Sequence, residues 1–268
     1  MRPCAGSGSF RGKEARMQVQ WSNGVPVRMG LFGTPVLAGA DHPEVVEEAL
    51  SSIVEVARRV KEAGGHFQCV SAYRSFEEQR DLRRRWEVFQ AYEKAMAEGK
   101  RWPGAVPPKQ AYTATPGSSW HNAGRAVDLA VRTWRDGRYR STLGFPVPEE
   151  QHVQALWNIM RPIGWEPIIR RPSLDQSECW HFEFLGCWAT AARSDYRNAV
   201  RAACADIGGW PEQGRLEAFV QAQLLRLGKP VQVDGVIGPK TRALLAAEGV
   251  GDGTDLRATA EALTPLLV

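Results

Sequence analysis

Two segments that lie far apart in this chain together carry the ligands that a metal centre needs. The first reads Ser119-Trp-His121-Asn-Ala-Gly-Arg-Ala-Val-Asp128, and the second reads Glu178-Cys-Trp-His181. Two imidazoles and one carboxylate supply three protein ligands, and one further carboxylate is left over. This is the set of groups found in a catalytic zinc site with an open coordination position. A fold that uses them must bring residues 119–128 and 178–181 together.

The first segment predicts a loop followed by a strand. Gly124 is a poor helix residue, and the residues from 126 to 131 alternate in polarity as a strand does. We therefore place His121 in the loop and Asp128 on the strand, with the turn at Gly124 returning both side chains to one metal ion. Ser119 lies in a turn cluster, where it either hydrogen-bonds a substrate or caps the turn.

The second segment predicts a strand with two different faces. One face is aromatic and is expected to pack in the core: Trp180, Phe182 and Phe184. The other face carries His181 between Cys179 and Glu183. Glu178 precedes the strand, where a loop can direct its carboxylate to the metal as a general base. Glu183 is either a solvated strand residue or a hydrogen-bond partner of His181.

At these residues the chain resembles the zinc D-Ala-D-Ala carboxypeptidase family. That family includes the D,D-dipeptidases and carboxypeptidases of vancomycin resistance and the L-alanyl-D-glutamate endopeptidases of phage lysis. Its pattern is Ser-x-His-x-x-Gly-x-Ala-x-Asp followed by Glu-x-x-His, often with Trp before the last His, and every fixed position matches. The resemblance implies that His121, Asp128 and His181 hold Zn²⁺ and that Glu178 is the catalytic base. We expect Trp180 and Glu183 to support these ligands.

A third match lies upstream, in the segment Ser71-Ala-Tyr73-Arg74-Ser75 followed by Gln79. Family members carry a similar Ser-x-Tyr-Arg-Ser, in which the arginine steadies the carbonyl oxygen under attack. The resemblance assigns that role to Arg74, and we assign substrate binding to Tyr73, Gln79 and Ser119.

The local sequence around Arg74 is compatible with this role. Residues 66–73 predict a strand, and Ser75 with Glu78 predicts a capping box at the start of a helix. Arg74 would then project from a strand-to-helix junction, where it can meet an anionic transition state.

The chain as a whole predicts an α+β fold: a small antiparallel sheet with flanking helices carries the zinc site, and a small all-α three-helix domain follows. Catalytic-unit helices are predicted over 41–63, 75–98 and 148–160, and strands over 66–73, 124–131, 164–170 and 178–184. Asp136-Gly137 predicts a hairpin turn, and the proline-rich segment 100–116 predicts a loop beside the cleft. We divide the chain into a disordered segment (1–17), a peptidase domain (18–189), a linking helix (190–206) and a C-terminal domain (207–268).

The C-terminal part carries its own signature. Asp234-Gly-Val-Ile-Gly-Pro-Lys-Thr241 predicts a turn that leads into a short helix. It resembles the Asp-Gly-x-x-Gly-Pro-x-Thr signature of the small three-helix peptidoglycan-binding domain, which implies binding to the wall. The helix after Thr241 lacks the usual aromatic-Gln ending, so the resemblance implies the fold more directly than glycan binding. A helical appendage that only stabilises the enzyme is the alternative.

Composition limits the partners and the location. The net charge is only +4 over 268 residues, which does not favour a nucleic-acid partner. No stretch reaches the ~20 apolar residues of a membrane span, and the N-terminus lacks the apolar core of a secretory signal. We expect a monomer made in the cytoplasm that reaches the wall by another route, such as phage holin-type release. Five cysteines predict free thiols, with a Cys179–Cys187 bridge left open.

The sequence therefore predicts a zinc-dependent peptidase that acts on the stem peptide of peptidoglycan. D,D-carboxypeptidases, D,D-dipeptidases and L-alanyl-D-glutamate endopeptidases share this chemistry, and the sequence does not separate them. The alternative is a non-catalytic wall-binding or phage structural protein that retains a metal site.

Overall fold

The fold is α+β, as predicted, in a computed structural model that describes residues 19–22, 25–29, 35–37, 45–65, 67, 69–110, 112–129, 132–135, 138–141, 149–173 and 178–267. The described helices are α1 (Glu47–Glu62), α2 (Phe76–Ala97), α3 (Glu149–Met160), α4 (Ala189–Ser194), α5 (Tyr196–Asp206), α6 (Arg215–Arg226), α7 (Pro239–Ala247) and α8 (Leu256–Leu263). The described strands are β1 (Val19–Ser22), β2 (Val25–Met29), β3 (Pro35–Leu37), β4 (Cys69–Ser71), β5 (Ala126–Leu129), β6 (Arg132–Arg135), β7 (Arg138–Ser141), β8 (Trp165–Pro167) and β9 (His181–Phe184).

The central sheet is antiparallel and has the strand order β4-β5-β9-β8. Strand β5 therefore pairs with β4 on one side and with β9 on the other. In this register Asp128 lies directly opposite His181 on β9. Sheet pairing thus joins the two segments that the sequence keeps far apart.

Two smaller sheets accompany the central one. Strands β1, β2 and β3 form an antiparallel meander that the sequence did not predict. Strands β6 and β7 form a hairpin in which Arg135 pairs with Arg138. This pairing agrees with the predicted hairpin, although Asp136 and Gly137 themselves lie outside the described residues.

Helix α1 begins later than the sequence predicted. Residues 41–44, including the predicted cap Asp41, lie outside the described part of the chain. Val46 has an extended backbone, and its N–H donates to the carbonyl of Gly124 at 3.0 Å, so the helix begins at Glu47. Its buried stripe packs in the main core: Ala49, Leu50, Ile53, Val56 and Val60.

Helix α2 begins as the sequence predicted. The hydroxyl of Ser75 accepts from the backbone N–H of Glu78, and the carboxylate of Glu78 accepts from the backbone N–H of Ser75. This reciprocal capping box fixes the first turn of α2 against β4, and it places Arg74 at the junction between the two elements.

The predicted linking helix 190–206 is in fact two helices. Asp195 has an extended backbone and separates α4 from α5, and its side chain caps α5 by accepting from the N–H of Asn198. An aspartate in this position hydrogen-bonds an otherwise unsatisfied helix N–H, so it starts a new helix more readily than it continues one. This cap was not among the sequence-based predictions.

Helices α5 and α6 share a core with the loop that carries His121. This second core contains Trp120 from that loop, Trp210 from the connection between α5 and α6, and several alanines of both helices. Gly209 lies so close to the loop that a Cβ atom there would be 2.9 Å from the carbonyl oxygen of Asn122. The C-terminal helices are therefore packed directly against the site.

Within the described residues Cys69, Cys179, Cys187 and Cys204 are free thiols. None of the helices in that part of the chain combines the length and apolarity needed to cross a bilayer.

We predict that Gly209→Ala destabilises the protein by about 1–3 kcal/mol, because the added methyl group meets backbone atoms that cannot rotate away. The matched control is Gly104→Ala, where the nearest atom would be 4.0 Å away. Chemical denaturation of both variants measures the difference. Equal free energies of unfolding would contradict the close packing of the C-terminal helices on the loop.

Candidate metal centre

Three side chains converge at the centre of the sheet. The Oδ1 atom of Asp128 lies 2.9 Å from Nδ1 of His181, and its Oδ2 atom lies 3.3 Å from Nε2 of His121. The two ring nitrogens are 3.2 Å apart. In a tetrahedral zinc site with bonds of about 2.0–2.1 Å, neighbouring ligand atoms lie about 3.3 Å apart. The two ring nitrogens and the carboxylate oxygen nearest to each of them therefore lie at the spacing of neighbouring zinc ligands.

The opposite nitrogen of each imidazole has a partner that sets the tautomer. Nδ1 of His121 lies 2.6 Å from the carbonyl oxygen of Ala72, and Nε2 of His181 lies 3.4 Å from Oε1 of Glu183. Both partners are acceptors, so these nitrogens carry the protons. The lone pairs are then on His121 Nε2 and His181 Nδ1, the two atoms that face Asp128. Metal-binding histidines are usually held in this way.

The charges around the site favour a cation. Burial disfavours ionisation of Asp128, but hydrogen bonds from His121 and His181 outweigh it and hold the pKa of this carboxyl well below its usual range. Without a metal ion, burial lowers the pKa of His181, whereas hydrogen bonds to Asp128 and Glu183 raise it to about 9, so a proton takes the position at Nδ1 that a metal ion would replace. Two carboxylates thus surround the two imidazoles, and this surplus of negative charge suits a divalent metal ion.

The loop that carries His121 is held by its own backbone and by Asn122. The N–H of Arg74 donates to the carbonyl of His121 at 3.0 Å. The buried amide of Asn122 donates to the carbonyl of Arg74 at 2.8 Å and accepts from the N–H of Gly117 at 3.1 Å. These bonds connect the metal loop to the junction between β4 and α2. Asn122 was not predicted as a site residue, because a single polar residue inside a loop gives no periodic signal.

Arg74 is oriented by two polar neighbours. Its guanidinium donates to Oε1 of Gln79 at 2.9 Å and to the hydroxyl of Ser71 at 3.1 Å. The other end of the Gln79 amide donates to the carbonyl of Ala114 at 2.8 Å. Gln79 is only 1% exposed, so the structure does not support the prediction that it binds substrate. It orients Arg74 and holds the loop before His121.

Glu178 lies in a tight turn just before β9. Its carbonyl accepts from the N–H of His181 at 3.0 Å, and its side chain is partly exposed. Its φ angle is 63°, and it is the one non-glycine residue with positive φ in the described part of the chain. Such a backbone is unfavourable for residues with a Cβ atom, and strained residues of this kind are concentrated at functional sites.

Glu183 is buried behind His181, in accord with a hydrogen-bond partner and not with a solvated strand residue. Besides the contact with His181, its Oε1 atom accepts a short hydrogen bond from the hydroxyl of Tyr196 on α5. Burial and the carboxylate of Glu183 raise the pKa of Tyr196, so this hydroxyl keeps its proton. Sequence analysis missed Tyr196, because nothing in the local sequence relates it to the two motifs.

The structure corrects the predicted placement of Trp180 and locates two other predicted site residues, Ser119 and Tyr73. Trp180 is 42% exposed, whereas Cys179, which was expected on the opposite face of the strand, is buried. The reason is that residues 178–180 form a turn, so strand alternation begins only at His181. The hydroxyl of Ser119 accepts from the N–H of His121 at 3.3 Å, which corresponds to the turn-capping alternative. Tyr73 is partly buried against the main core.

The remaining histidines lie away from this cluster or outside the described residues. His152 is buried on α3, as expected for a core residue, whereas His42 and His66 are not described. His121, Asp128 and His181 are thus the group of potential metal ligands in the described part of the chain.

We predict that Glu178→Gly is more stable than Glu178→Ala by about 1 kcal/mol, because glycine adopts a φ of 63° without strain. Both variants lack the carboxylate, so the comparison isolates the backbone. Thermal or denaturant unfolding of the two proteins provides the measurement. An alanine variant as stable as the glycine variant would show that the turn is not strained.

Comparisons with known proteins place these residues in a family. The family model named VanY, described as D-alanyl-D-alanine carboxypeptidase, matches residues 42–187. A comparison with curated protein sequences found no match.

Three solved structures have a distant likeness. A vancomycin-resistance D,D-pentapeptidase VanY, solved with Zn(II), is 18% identical over 60% of this chain and 84% of that chain, with a TM-score of 0.37. VanYB in complex with D-alanine-D-alanine is 20% identical over 59% and 80%, with a TM-score of 0.38. The LD-carboxypeptidase LdcB is 20% identical over 68% and 92%, with a TM-score of 0.33. Scores of this size do not by themselves establish a common fold.

The family model spans more than half of the chain, and its matched region contains both motifs and the segment around Arg74. The chain therefore belongs to the D-alanyl-D-alanine carboxypeptidase family.

Proposed function

We propose that this protein is a zinc-dependent peptidase that hydrolyses an amide bond in the stem peptide of peptidoglycan. The observation that carries the proposal is the convergence of His121 Nε2, the Asp128 carboxylate and His181 Nδ1 at the spacing of neighbouring zinc ligands, with an acceptor beside each outer ring nitrogen. When bound to these three residues, zinc supplies a Lewis acid that activates water and polarises an amide carbonyl.

Glu178 is the proposed general base. It precedes His181 by one turn, and its strained backbone and partial exposure suit a side chain that must face the substrate. In this role it takes a proton from the attacking water and passes it to the nitrogen of the leaving group.

Arg74 is the proposed partner of the carbonyl oxygen that gains charge. Gln79 and Ser71 accept from two of its N–H groups, so the guanidinium is already oriented before substrate arrives. A guanidinium has five N–H donors, which leaves others for an oxyanion. A donor fixed in advance stabilises a transition state without reorganisation during the reaction.

The family favours the terminal D-Ala–D-Ala bond as the one that is cut, so carboxypeptidase activity is our first choice. Cleavage of the L-Ala–D-Glu bond is the second, and it would indicate a lytic enzyme of the phage endolysin type. The two reactions give different products, since the first removes one D-Ala and the second releases most of the stem peptide.

We predict that Glu178→Gln retains zinc and loses nearly all turnover, at least 10²-fold, because glutamine has no basic carboxylate. Purified muropeptides are incubated with each protein, and the products are identified by mass spectrometry. The control is Glu166→Gln, which removes an exposed carboxylate on β8 and should keep wild-type turnover.

Metal removal completes this experiment. A chelator should abolish turnover of the wild type, and added zinc should restore it. Near-wild-type turnover in Glu178→Gln would exclude Glu178 as the base. Zinc-loaded wild type that binds muropeptides without cleaving them would support the non-catalytic alternative.

We also propose that residues 207–268 hold the enzyme on the wall. The Asp234-Gly235 turn of the predicted signature is rigid, because the buried amide of Gln221 accepts from both backbone N–H groups and donates to the Asp234 carboxylate. The next residue, Val236, is 63% exposed on this fixed turn. We assign a contact with the polymer to this exposed side chain because it lies within the signature turn.

We predict that Val236→Asp reduces the fraction of protein that sediments with purified, insoluble peptidoglycan by about half or more, since a carboxylate would be desolvated in that contact. The parent protein and the valine variants all carry Glu178→Gln so that the wall is not digested. Val54→Asp on α1, where the valine is 55% exposed, is the control. Unchanged sedimentation of the Val236 variant would remove this turn from the binding surface.

A further inference from the structure

Tyr196 reaches the metal centre from a helix that lies beyond the region matched by the family model, which ends at residue 187. Its hydroxyl donates to Oε1 of Glu183, and the same oxygen lies 3.4 Å from Nε2 of His181. Glu183 is only 7% exposed, so these two donors supply hydrogen bonds that water cannot readily replace. Tyr196, Glu183 and His181 therefore form a continuous series of contacts that ends at a candidate metal ligand.

The ring of Tyr196 also touches the other side of the site. It meets the ring of Trp120 edge to face, with centroids 6.1 Å apart and planes inclined at 73°. Trp120 is buried and directly precedes His121. One side chain thus contacts a neighbour of each metal-binding histidine.

The turn that carries Tyr196 is itself fixed at both ends. Asp195 caps α5 by accepting from the N–H of Asn198 at 3.1 Å. The side chain of Asn198 donates to the carbonyl of Val231 and accepts from the N–H of Val233, both at 2.8 Å. The first turn of α5 therefore connects the C-terminal helices to the metal centre.

We propose that Tyr196 is a positioning residue for the metal centre. This proposal rests on the zinc site of the proposed function. Its hydroxyl holds the carboxylate of Glu183 in the orientation that accepts from His181 Nε2–H. That bond in turn directs His181 Nδ1 toward the metal. Without the hydroxyl, Glu183 loses one of its two donors, and the imidazole is free to rotate about its side-chain bonds.

The expected loss of zinc affinity follows from other residues that hydrogen-bond a metal ligand. Removal of such a residue lowers metal affinity about 10–100-fold. Tyr196 acts through Glu183 and does not touch the ligand, so we expect the lower end, about tenfold. Tyr196→Phe keeps the ring that packs on Trp120 and removes the hydroxyl, which contacts both Glu183 and the Trp120 side chain; the comparison with a Glu183 variant below separates these two contacts.

The first experiment measures the zinc dissociation constants of the full-length apoproteins by competition with a chromophoric chelator. Tyr196→Phe should bind zinc about tenfold more weakly than the wild type. The matched control, Tyr92→Phe on α2, removes a hydroxyl away from the site and should stay within twofold. Unfolding curves of the apoproteins establish that each variant is folded.

The second experiment asks whether Tyr196 acts through Glu183. Glu183→Ala, which removes the acceptor, is combined with Tyr196→Phe, and zinc affinity is measured for both single variants and the double variant. If Tyr196 acts through Glu183, the tyrosine substitution has little further effect on zinc affinity once Glu183 is replaced. A full tenfold effect in both backgrounds would overturn the proposed route, and wild-type affinity in Tyr196→Phe would overturn the role itself.

The first experiment also separates this inference from the proposed function. Zinc affinity is measured without any peptide substrate, so it does not depend on which bond is cut. If the wild type binds no zinc, the metal centre fails. If the wild type binds zinc and Tyr196→Phe binds it equally well, only the role of Tyr196 fails.

Discussion

The pairing of β5 with β9 is the interaction on which the metal centre depends. Its register sets Asp128 opposite His181, and strand geometry places directly paired side chains within about 5 Å of one another. A slip of one residue would turn either side chain to the other face of the sheet. Val127 and Phe182 form the next pair in this register, and both side chains are buried. The core therefore fixes the pairing that brings Asp128 and His181 together.

His121 comes to the same point through loop contacts with the strand-to-helix junction after β4. The carbonyl of Ala72 orients its ring, the N–H of Arg74 holds its carbonyl, and the amide of Asn122 bonds the junction once more. The same junction carries Arg74, the proposed partner of the substrate carbonyl. His121 and Arg74 are therefore fixed relative to each other by hydrogen bonds between neighbouring backbones.

The sequence predicted those features that depend on short stretches of chain. The capping box at Ser75, the strand position of Asp128 and the loop position of His121 all follow from residues a few positions apart. Trp180 was misplaced because alternation predicts a face only where the backbone is extended, and a left-handed Glu178 interrupts it. Tyr196 was missed for a different reason. Its contact with Glu183 depends on how α5 packs against the sheet, which no local pattern specifies.

The composition of α5 and α6 explains how the C-terminal helices come so close to the metal loop. Alanines line their shared core: Ala199, Ala202, Ala203, Ala205, Ala218 and Ala222. Small side chains let helix backbones approach each other and the loop, and Gly209 allows the nearest contact. Domains joined by flexible linkers move independently, whereas a continuous core resists such motion. A wall-binding surface on this unit would hold the catalytic cleft at one fixed angle to the polymer, so the geometry of docking would help to decide which stem peptides reach Glu178.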